Sequence, residues 1–503
     1  MKKVPKLLFR KMSLEENIDT IKWAYYENNG LLSVHNYTVS YFPELADLDE
    51  KLSKEEVYKI IEDVVKKDYE KYTNRLQEET ERYNKLWIEY NDSYFEMLSD
   101  YLEIEWPKKE IEAKVGLIPV FPRYLDEFSF SVGTGIEDWK VIETCAHETL
   151  HFLWFEKWKK LFPKTPRRYY DSPYIEWEYS EIVTDPILNN KPFNKLFDFE
   201  EKGYNSFYKM YDGEELVIDK LRDVYSEETP INEKIVIGFD YLKKYNEEKK
   251  IKELDYLIQE LIDEDKALSK IKIPTNLEDK KALYRGLRNI RKPKKISSEY
   301  LKKQDKYLQE EIENKGIIDE EDISYDKGIL SIWKGDITTL KCDAIVNACN
   351  EYLLGCFVPG HNCIDNAIHS FAGIQLREEC NEIMKGKTLS NGEVILTKGY
   401  NLPSKYVIQT VGPAVRGRLK EQDVEDLKKC YYNALKLSQE NGIKTIAFPC
   451  ISTGLYGFPK EEACKIAIDT VTKYLNDNNN SFNHIIFNVF KDEDYLLYKN
   501  SIN

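Results

Sequence analysis

The chain has 503 residues, of which 42% are hydrophobic and 13% aromatic, and a formal net charge of −16. Such a composition builds packed cores, excludes wholesale disorder and, at roughly 150 residues per domain, leaves room for about two or three domains. The acidic balance speaks against a nucleic-acid-binding surface over the whole chain, since phosphate contact needs clustered Lys and Arg, and no apolar run approaches the roughly 20 residues of a membrane helix.

At the N-terminus, "MKKVPKLLFRKMSLEEN" is basic without an apolar stretch, so no export signal is expected. The cysteines agree. Only Cys145 precedes residue 340, the total of nine is odd, and no regular framework emerges, as befits a reducing, cytoplasmic setting. Ser53-Lys-Glu-Glu56 has the form of a capping box. It predicts a long helix running on through "VVKKDYEKYTNRLQEETERYNKLWIEYNDSYFEML". The aromatic positions of that helix, Tyr58, Tyr69, Tyr72, Tyr83, Trp87, Tyr90 and Tyr94, suit packing against a globular body rather than a coiled coil. Next, "KVGLIPVFPRYLDEFSFSVG" alternates between Gly and Pro boundaries and predicts strands, with "DEFSFSVG" as the edge that would pair with an extended substrate.

A second helix, "EDWKVIETCAHETLHFLWFEKWKKLF", contains His147-Glu148-x-x-His151. Histidines at i and i+4 share one helical face and can grip one zinc ion, with Glu148 beside it as general base. Thirty residues on, "YIEWEYSEIVTDPIL" offers Glu176, Glu178 and Glu181 as a third ligand. The motif resembles that of the zincin metallopeptidases, over about residues 115–200 only. The resemblance implies a second zinc on His147, His151 and Glu181, a peptidase activity of unassigned substrate, and a role for Asp185 in orienting a ligand histidine. Pro186 opposes the last point, because the residue before a proline is disfavoured in a helix. The competing interpretation is an amphipathic helix whose exposed face shows two histidines.

Residues 250–325 are charged and helical, with "LDYLIQELIDED" amphipathic and "RKPKK" a break. From 328 onward short β-rich runs ("GILSIWKG", "DAIVNAC", "KYVIQTVGP", "KTIAFPCIST", "HIIFNVF") alternate with helical patterns, the signature of an α/β sheet covered by helices. Ligands settle at the carboxyl ends of the strands of such a sheet. There, "IAFPCISTGLYGFP" presents Ser452, Thr453, Gly454, Leu455, Tyr456 and Gly457 before a helix, a backbone suited to a phosphate or to a plain glycine-rich turn. "IWKGDITTLKCDAIVNACNEYLLG" offers Asp336 for an exocyclic amine and Asn347 and Asn350 for ribose hydroxyls, and Phe490 offers a ring to cover a base.

The order GDIT, IVNACN, LLG, ID-N-AIH, QTVGP and STGLYGFP resembles the macrodomains, an ADP-ribose-binding α/β/α fold, over about 328–503. "GCFVPGHNCIDNAIH" (355–369) is similar to the zinc-dependent class of that family, whose own helical extension the segment from about 250 resembles. The chain is thus expected to be multidomain: a zincin-like α+β domain over 1–245, a helical extension over 246–326 and a zinc-dependent macrodomain over 327–503. The resemblance implies removal of mono-ADP-ribose from modified proteins, often beside a sirtuin-type ADP-ribosyltransferase. It assigns adenine to Asp336 and Ile337, the distal ribose to Asn350, the diphosphate to residues 452–458, and ligand contact to Asn347, Cys363, Ile364, Asp365 and Asn366. Asp365 is the candidate for activating water. Cys349 and Gln409 depart from the usual Ala and His of this family.

The spacing leads to zinc independently. Cys356-x4-His361-x-Cys363 supplies two soft thiolates and an imidazole, and three protein ligands leave a fourth position open, the mark of a catalytic site. A redox pair and two inert core cysteines are the alternatives. His369, inside the helix, is expected to face elsewhere. The competing function is a reader that binds ADP-ribose without cleaving it and brings the attached metallopeptidase to modified proteins.

Overall fold

A computed structural model describes residues 3–26, 34–46, 48–49, 52–478 and 482–502. The chain divides into two compact units, Met1–Asn246 and Glu247–Asn503. Among the described residues no helix is long and apolar enough to cross a membrane.

The first unit is built on a four-stranded sheet in which β1 (Lys6–Lys11), β2 (Glu110–Gly116) and β4 (Ser129–Gly133) run parallel, and β3 (Arg123–Tyr124) closes one edge antiparallel to β4. The stretch expected to be a substrate-pairing edge is therefore an interior strand, buried at all five positions. Burial on both faces suits its unbroken run of small and apolar side chains. The capping box forms as expected, with Ser53 and Glu56 each bonding the other's backbone N–H at the start of α1 (Lys54–Trp87). The helix does not run through, however. It breaks at 88–90 and restarts as α2 (Asn91–Tyr101). Asn91 explains the break: its buried amide accepts from Leu7 N–H and Trp87 Nε1 and donates to the Pro5 carbonyl, tying the bend to β1. Of the aromatic positions, Tyr83, Trp87 and Tyr94 are fully buried in the core.

At the centre lies α3 (Asp138–Leu161), in which every residue from Val141 to Phe155 is buried except His147. A helix buried all round is a core element, so the view of it as a surface helix with an exposed histidine face fails. Trp154 and Trp158 are fully buried, and each such side chain contributes about 1.5–3 kcal/mol. Two short helices follow, α4 (Ile175–Ile182) and α5 (Thr184–Leu188).

In the second unit a six-stranded sheet is formed by β5 (Leu330–Lys334), β6 (Ala344–Cys349), β7 (Val394–Lys398), β8 (Tyr406–Val411), β9 (Thr445–Phe448) and β10 (His484–Val489). The order is β7-β8-β6-β9-β10-β5, parallel throughout except for β7, which runs antiparallel to β8 and has no counterpart among the expected strands. Its first three residues are half-buried and show no alternation, which is why no strand pattern stands out there. Apolar side chains cover both faces of the sheet in separate clusters. Ahead of it a helical arm contains α6 (Leu277–Ile290) and α7 (Ser298–Lys315). Leu254, Leu257, Ile258 and Leu261 pack there with Tyr284, Leu287, Tyr300 and Leu308 around Ile374.

Candidate functional site

In the second unit β6 ends at Cys349, and the loop beyond it returns to open α8 (Ile364–Ala372). Cys356 Sγ lies 3.7 Å from His361 Nδ1, and with Cys363 Sγ the three donor atoms fall within 4.8 Å of one another. Sulfur and nitrogen on adjacent corners of a zinc tetrahedron stand about 3.6 Å apart, so the donor set fits that ion. All three residues are half-buried. Cys363 is also the N-cap of α8, its sulfur accepting the Asn366 N–H at 3.4 Å. Burial, and then the neighbouring Cys356, push its thiol up to about 12, so a thiolate there calls for a cation.

The loop is held from several sides. Asn366, fully buried, donates to the Val358 carbonyl at 3.0 Å and accepts from Arg285 of α6 at 2.8 Å. Asn289 of the same helix accepts the Gly360 N–H at 2.9 Å. Arg377 donates to the Leu354 carbonyl at 2.6 Å and lies 4.5 Å over the Phe357 ring. Gly355 takes φ +77°, and a Cβ there would stand 2.8 Å from His369 Cγ, so this turn requires glycine. The side chain of Asn366 thus braces the 356–363 loop against α6.

Asp365 is 5% exposed, and burial pushes its carboxyl up to about 6. Its Oδ1 accepts from Asn347 at 2.9 Å and its Oδ2 from Asn350 at 3.5 Å. His369 stands apart from the three donors, as expected, and its Nε2 lies 3.6 Å from Asp365 Oδ1, one turn along the helix. Burial and Arg377 hold that imidazole down at about 3, hence neutral. Asn347 is fully buried and commits both amide hydrogens, one to Asp365 and one to Gln409 Oε1, each at 2.9 Å. The unusual Gln409 is therefore the acceptor that aims the Asn347 amide group at Asp365, while Asn347 Oδ1 has no hydrogen-bond partner among the described residues.

Asp336 caps a short 3₁₀ turn by accepting from Thr338, and Lys315 of α7 donates to its other oxygen at 2.7 Å. Ile337 is buried beneath it. In the loop after β9, Ser452 adopts φ +65°, packed so closely on Gly412 that a Cβ there would lie 2.1 Å from Ser452 Oγ. Thr453 Oγ1 caps the Cys450 carbonyl, Tyr456 O accepts from Val415, and Gly457 N–H turns back to Gly454 O. Leu455 is 82% exposed and Gly454 borders open space, which leaves this backbone accessible to a ligand. Phe490, just past β10, is 75% exposed.

In the first unit α3 presents His147, Glu148 and His151, and α4 brings Glu181 to them. His147 Nε2 lies 3.1 Å from His151 Nε2 and 3.3 Å from Glu181 Oε2, and His151 Nε2 lies 3.5 Å from Glu181 Oε1. Nitrogen and oxygen ligands on a zinc tetrahedron stand about 3.3 Å apart, so this set fits as well. Arg123 of β3 bridges two of its carboxylates, pairing with Glu148 at 3.1 Å and Glu181 at 3.0 Å. Glu201 reaches His147 Nδ1 at 2.7 Å. Three buried carboxylates (Glu148, Glu181 and Glu201) meet here against Arg123 and His147, whose imidazole Glu201 and Glu181 hold well above its ordinary range in spite of burial. Burial pushes the Glu148 carboxyl up. For Glu181 burial acts in the same direction, but His151 and Arg123 overcome it and hold the carboxyl well below its ordinary range.

Asp185 does not touch either histidine. Arg222 holds it at 2.7 and 2.8 Å and Tyr208 donates to it at 2.7 Å, because Pro186 follows a break between α4 and α5 that turns Asp185 away. Glu178 accepts from Asn246 instead of joining the cluster. Arg123, Glu201, Arg285, Asn289, Lys315 and Arg377 carry no motif and were not expected at these sites.

The macro domain family matches residues 346–467. A protein-ADP-ribose hydrolase of Staphylococcus aureus (strain MSSA476) is 43% identical over 254 residues, 50% of this chain and 95% of its own length. A Treponema medium protein of the same name is 44% identical over 249 residues, 48% of this chain and 95% of its own. The human ADP-ribose glycohydrolase MACROD2 is 43% identical over 201 residues, 39% of this chain and 45% of its own. The Trypanosoma brucei macrodomain solved in complex with ADP-ribose is 29% identical, covering 43% of this chain and 95% of that one with a TM-score of 0.35. With its six-stranded α/β sheet and nearly full coverage of the bacterial relatives, the chain belongs to the protein-ADP-ribose hydrolase family of macrodomains.

Proposed function

We propose that the second unit is a zinc-dependent hydrolase that removes mono-ADP-ribose from modified protein side chains. The observation that carries this reading is the first turn of α8, which places a donor of a three-ligand set, Cys363, two residues from the buried Asp365. A zinc held by Cys356, His361 and Cys363 supplies Lewis acidity toward an oxygen of the distal ribose or of the linkage being cleaved. Asp365, aimed by Asn347 and Gln409, takes the proton of the attacking water, and its elevated pKa suits a general base working near neutrality. Asn350 orients the distal ribose. Asp336, sharing its carboxylate with Lys315, accepts from the exocyclic amine of adenine over Ile337, and Phe490 covers the base. The backbone of 452–457 holds the diphosphate through N–H groups. The substrate is a mono-ADP-ribosylated protein of the cytoplasm, with a sirtuin-type transferase as the source of the modification.

Incubation of the chain with a mono-ADP-ribosylated protein tests this. Free ADP-ribose appears, and both chelator and Cys363→Ala abolish its release. Retention of the label together with tight ADP-ribose binding would make the unit a reader instead.

A second reading concerns Met1–Asn246 and rests on the tetrahedral spacing of His147, His151 and Glu181. This unit is a zincin-like metallopeptidase in which Glu148 acts as general base. Cleavage of a polypeptide, lost in Glu148→Gln with zinc still bound, is the expected result. Unchanged cleavage in that variant overturns it.

A further inference from the structure

We infer that Glu201 is the positioning residue of the first unit's metal site, fixing His147 as a ligand through its Nδ1. The inference rests on the reading of His147, His151 and Glu181 as zinc ligands. An imidazole offers a lone pair at one nitrogen only when the proton sits on the other, and the partner of that second nitrogen decides which. Glu201 Oε1 lies 2.7 Å from His147 Nδ1, a contact that favours the neutral tautomer with its proton on Nδ1 and makes Nε2 the nitrogen that would face a metal. That Nε2 is the atom 3.1 Å from His151 Nε2 and 3.3 Å from Glu181 Oε2. His147 is also the most exposed of the three ligands, at 18% of its side chain against 0% for His151 and 4% for Glu181. Packing alone constrains it least.

Glu201 itself is fixed on both sides. It is 1% exposed, and Asn189 at the end of α5 clasps its backbone, accepting its N–H at 2.8 Å and donating to its carbonyl at 2.9 Å. Two residues on, Gly203 N–H donates to Tyr208 Oη at 3.2 Å, and that hydroxyl donates to Asp185 at 2.7 Å. Asp185 thus reaches the site only through the loop that carries Glu201. For His151 no equivalent exists, since its buried Nδ1 has no hydrogen-bond partner among the described residues.

The test uses the full chain with Cys356→Ala and Cys363→Ala, so that the first unit alone is expected to hold zinc. Zinc is titrated in competition with a chromophoric chelator, and Co²⁺ in its place reports the ligand field. The parent binds one zinc, His147→Ala binds none, and Glu201→Gln weakens binding about 10–100-fold with an altered Co²⁺ spectrum. Glu201→Asp keeps the charge on a shorter reach and lies between the two. It also carries the test if the Gln variant does not fold. Equal zinc affinity and an equal Co²⁺ spectrum in both Glu201 variants would overturn the role of Glu201 and leave the zinc reading standing. A parent that binds no zinc, or binds it regardless of His147, would overturn both.

Discussion

The two candidate metal centres reach a similar donor geometry by opposite means. In Met1–Asn246 two donors come from consecutive turns of a core helix and a third from a neighbouring short helix, and the ligand side chains are 0–18% exposed. In Glu247–Asn503 the donors come from an irregular loop and the first residue before a helix, and all three are half-buried. A helix sets the spacing of its ligands by its own repeat, but burial then demands that every charge nearby be paired, as Arg123 pairs with Glu148 and Glu181 and His147 with Glu201. A loop leaves its ligands open to a substrate as bulky as a modified protein, but needs outside struts, here Asn366, Arg377 and the arm residues Arg285 and Asn289. The first centre is therefore tied to folding and the second to access.

Four measurements sharpen or break that contrast. The largest effect is expected at Asp365: Asp365→Asn lowers the rate of ADP-ribose release about 10²–10⁴-fold while leaving ADP-ribose affinity near that of the parent by calorimetry. Undiminished turnover would take the chemistry away from the loop centre. Next, Glu181→Ala removes one of the two buried carboxylate partners of Arg123 and costs about 3–5 kcal/mol in urea denaturation. Tryptophan fluorescence follows this unit well, because all the tryptophans but Trp333 precede residue 247. A loss as small as that of a surface substitution would mean that the first centre is not coupled to folding.

Gly355→Ala tests the strutted loop. The left-handed backbone and the approach to His369 predict a cost of about 1–3 kcal/mol in denaturation, accompanied by weaker zinc binding at Cys356, His361 and Cys363. Neutral behaviour would show that the loop relaxes freely. Smallest is Cys356→Ala in chelator-treated chain, expected within about 0.5 kcal/mol of the parent because its side chain is only half-buried. A loss comparable to that of Glu181→Ala would erase the distinction between the centres.

Much of this was legible in the chain. The parallel strands announce themselves as short β-rich runs, whereas β7 does not, because an antiparallel edge with half-buried residues leaves no clear alternation. The capping box of α1 was readable from four residues, but its early end at Trp87 was not, since the cause is the amide of Asn91 bonding to Leu7, 84 positions away. The Glu-x-x-x-Asp pattern proved misleading in its second half. Asp185 follows a helix break and turns to Arg222, while the carboxylate at His147 comes from Glu201, in a loop with no motif.

By itself the amino-acid sequence determined which donors exist and how far apart they lie along the chain: His147 and His151 one turn apart, and Cys356, His361 and Cys363 on one loop. These are local facts, set by helix repeat and loop length within a few residues. Tertiary structure alone decided the partners. Arg123 between Glu148 and Glu181, Glu201 behind His147, Gln409 behind Asn347 and Lys315 at Asp336 all join segments separated by 21 to 62 positions. Such contacts depend on how strands and helices pack, and packing is a property of the whole unit that no short stretch encodes.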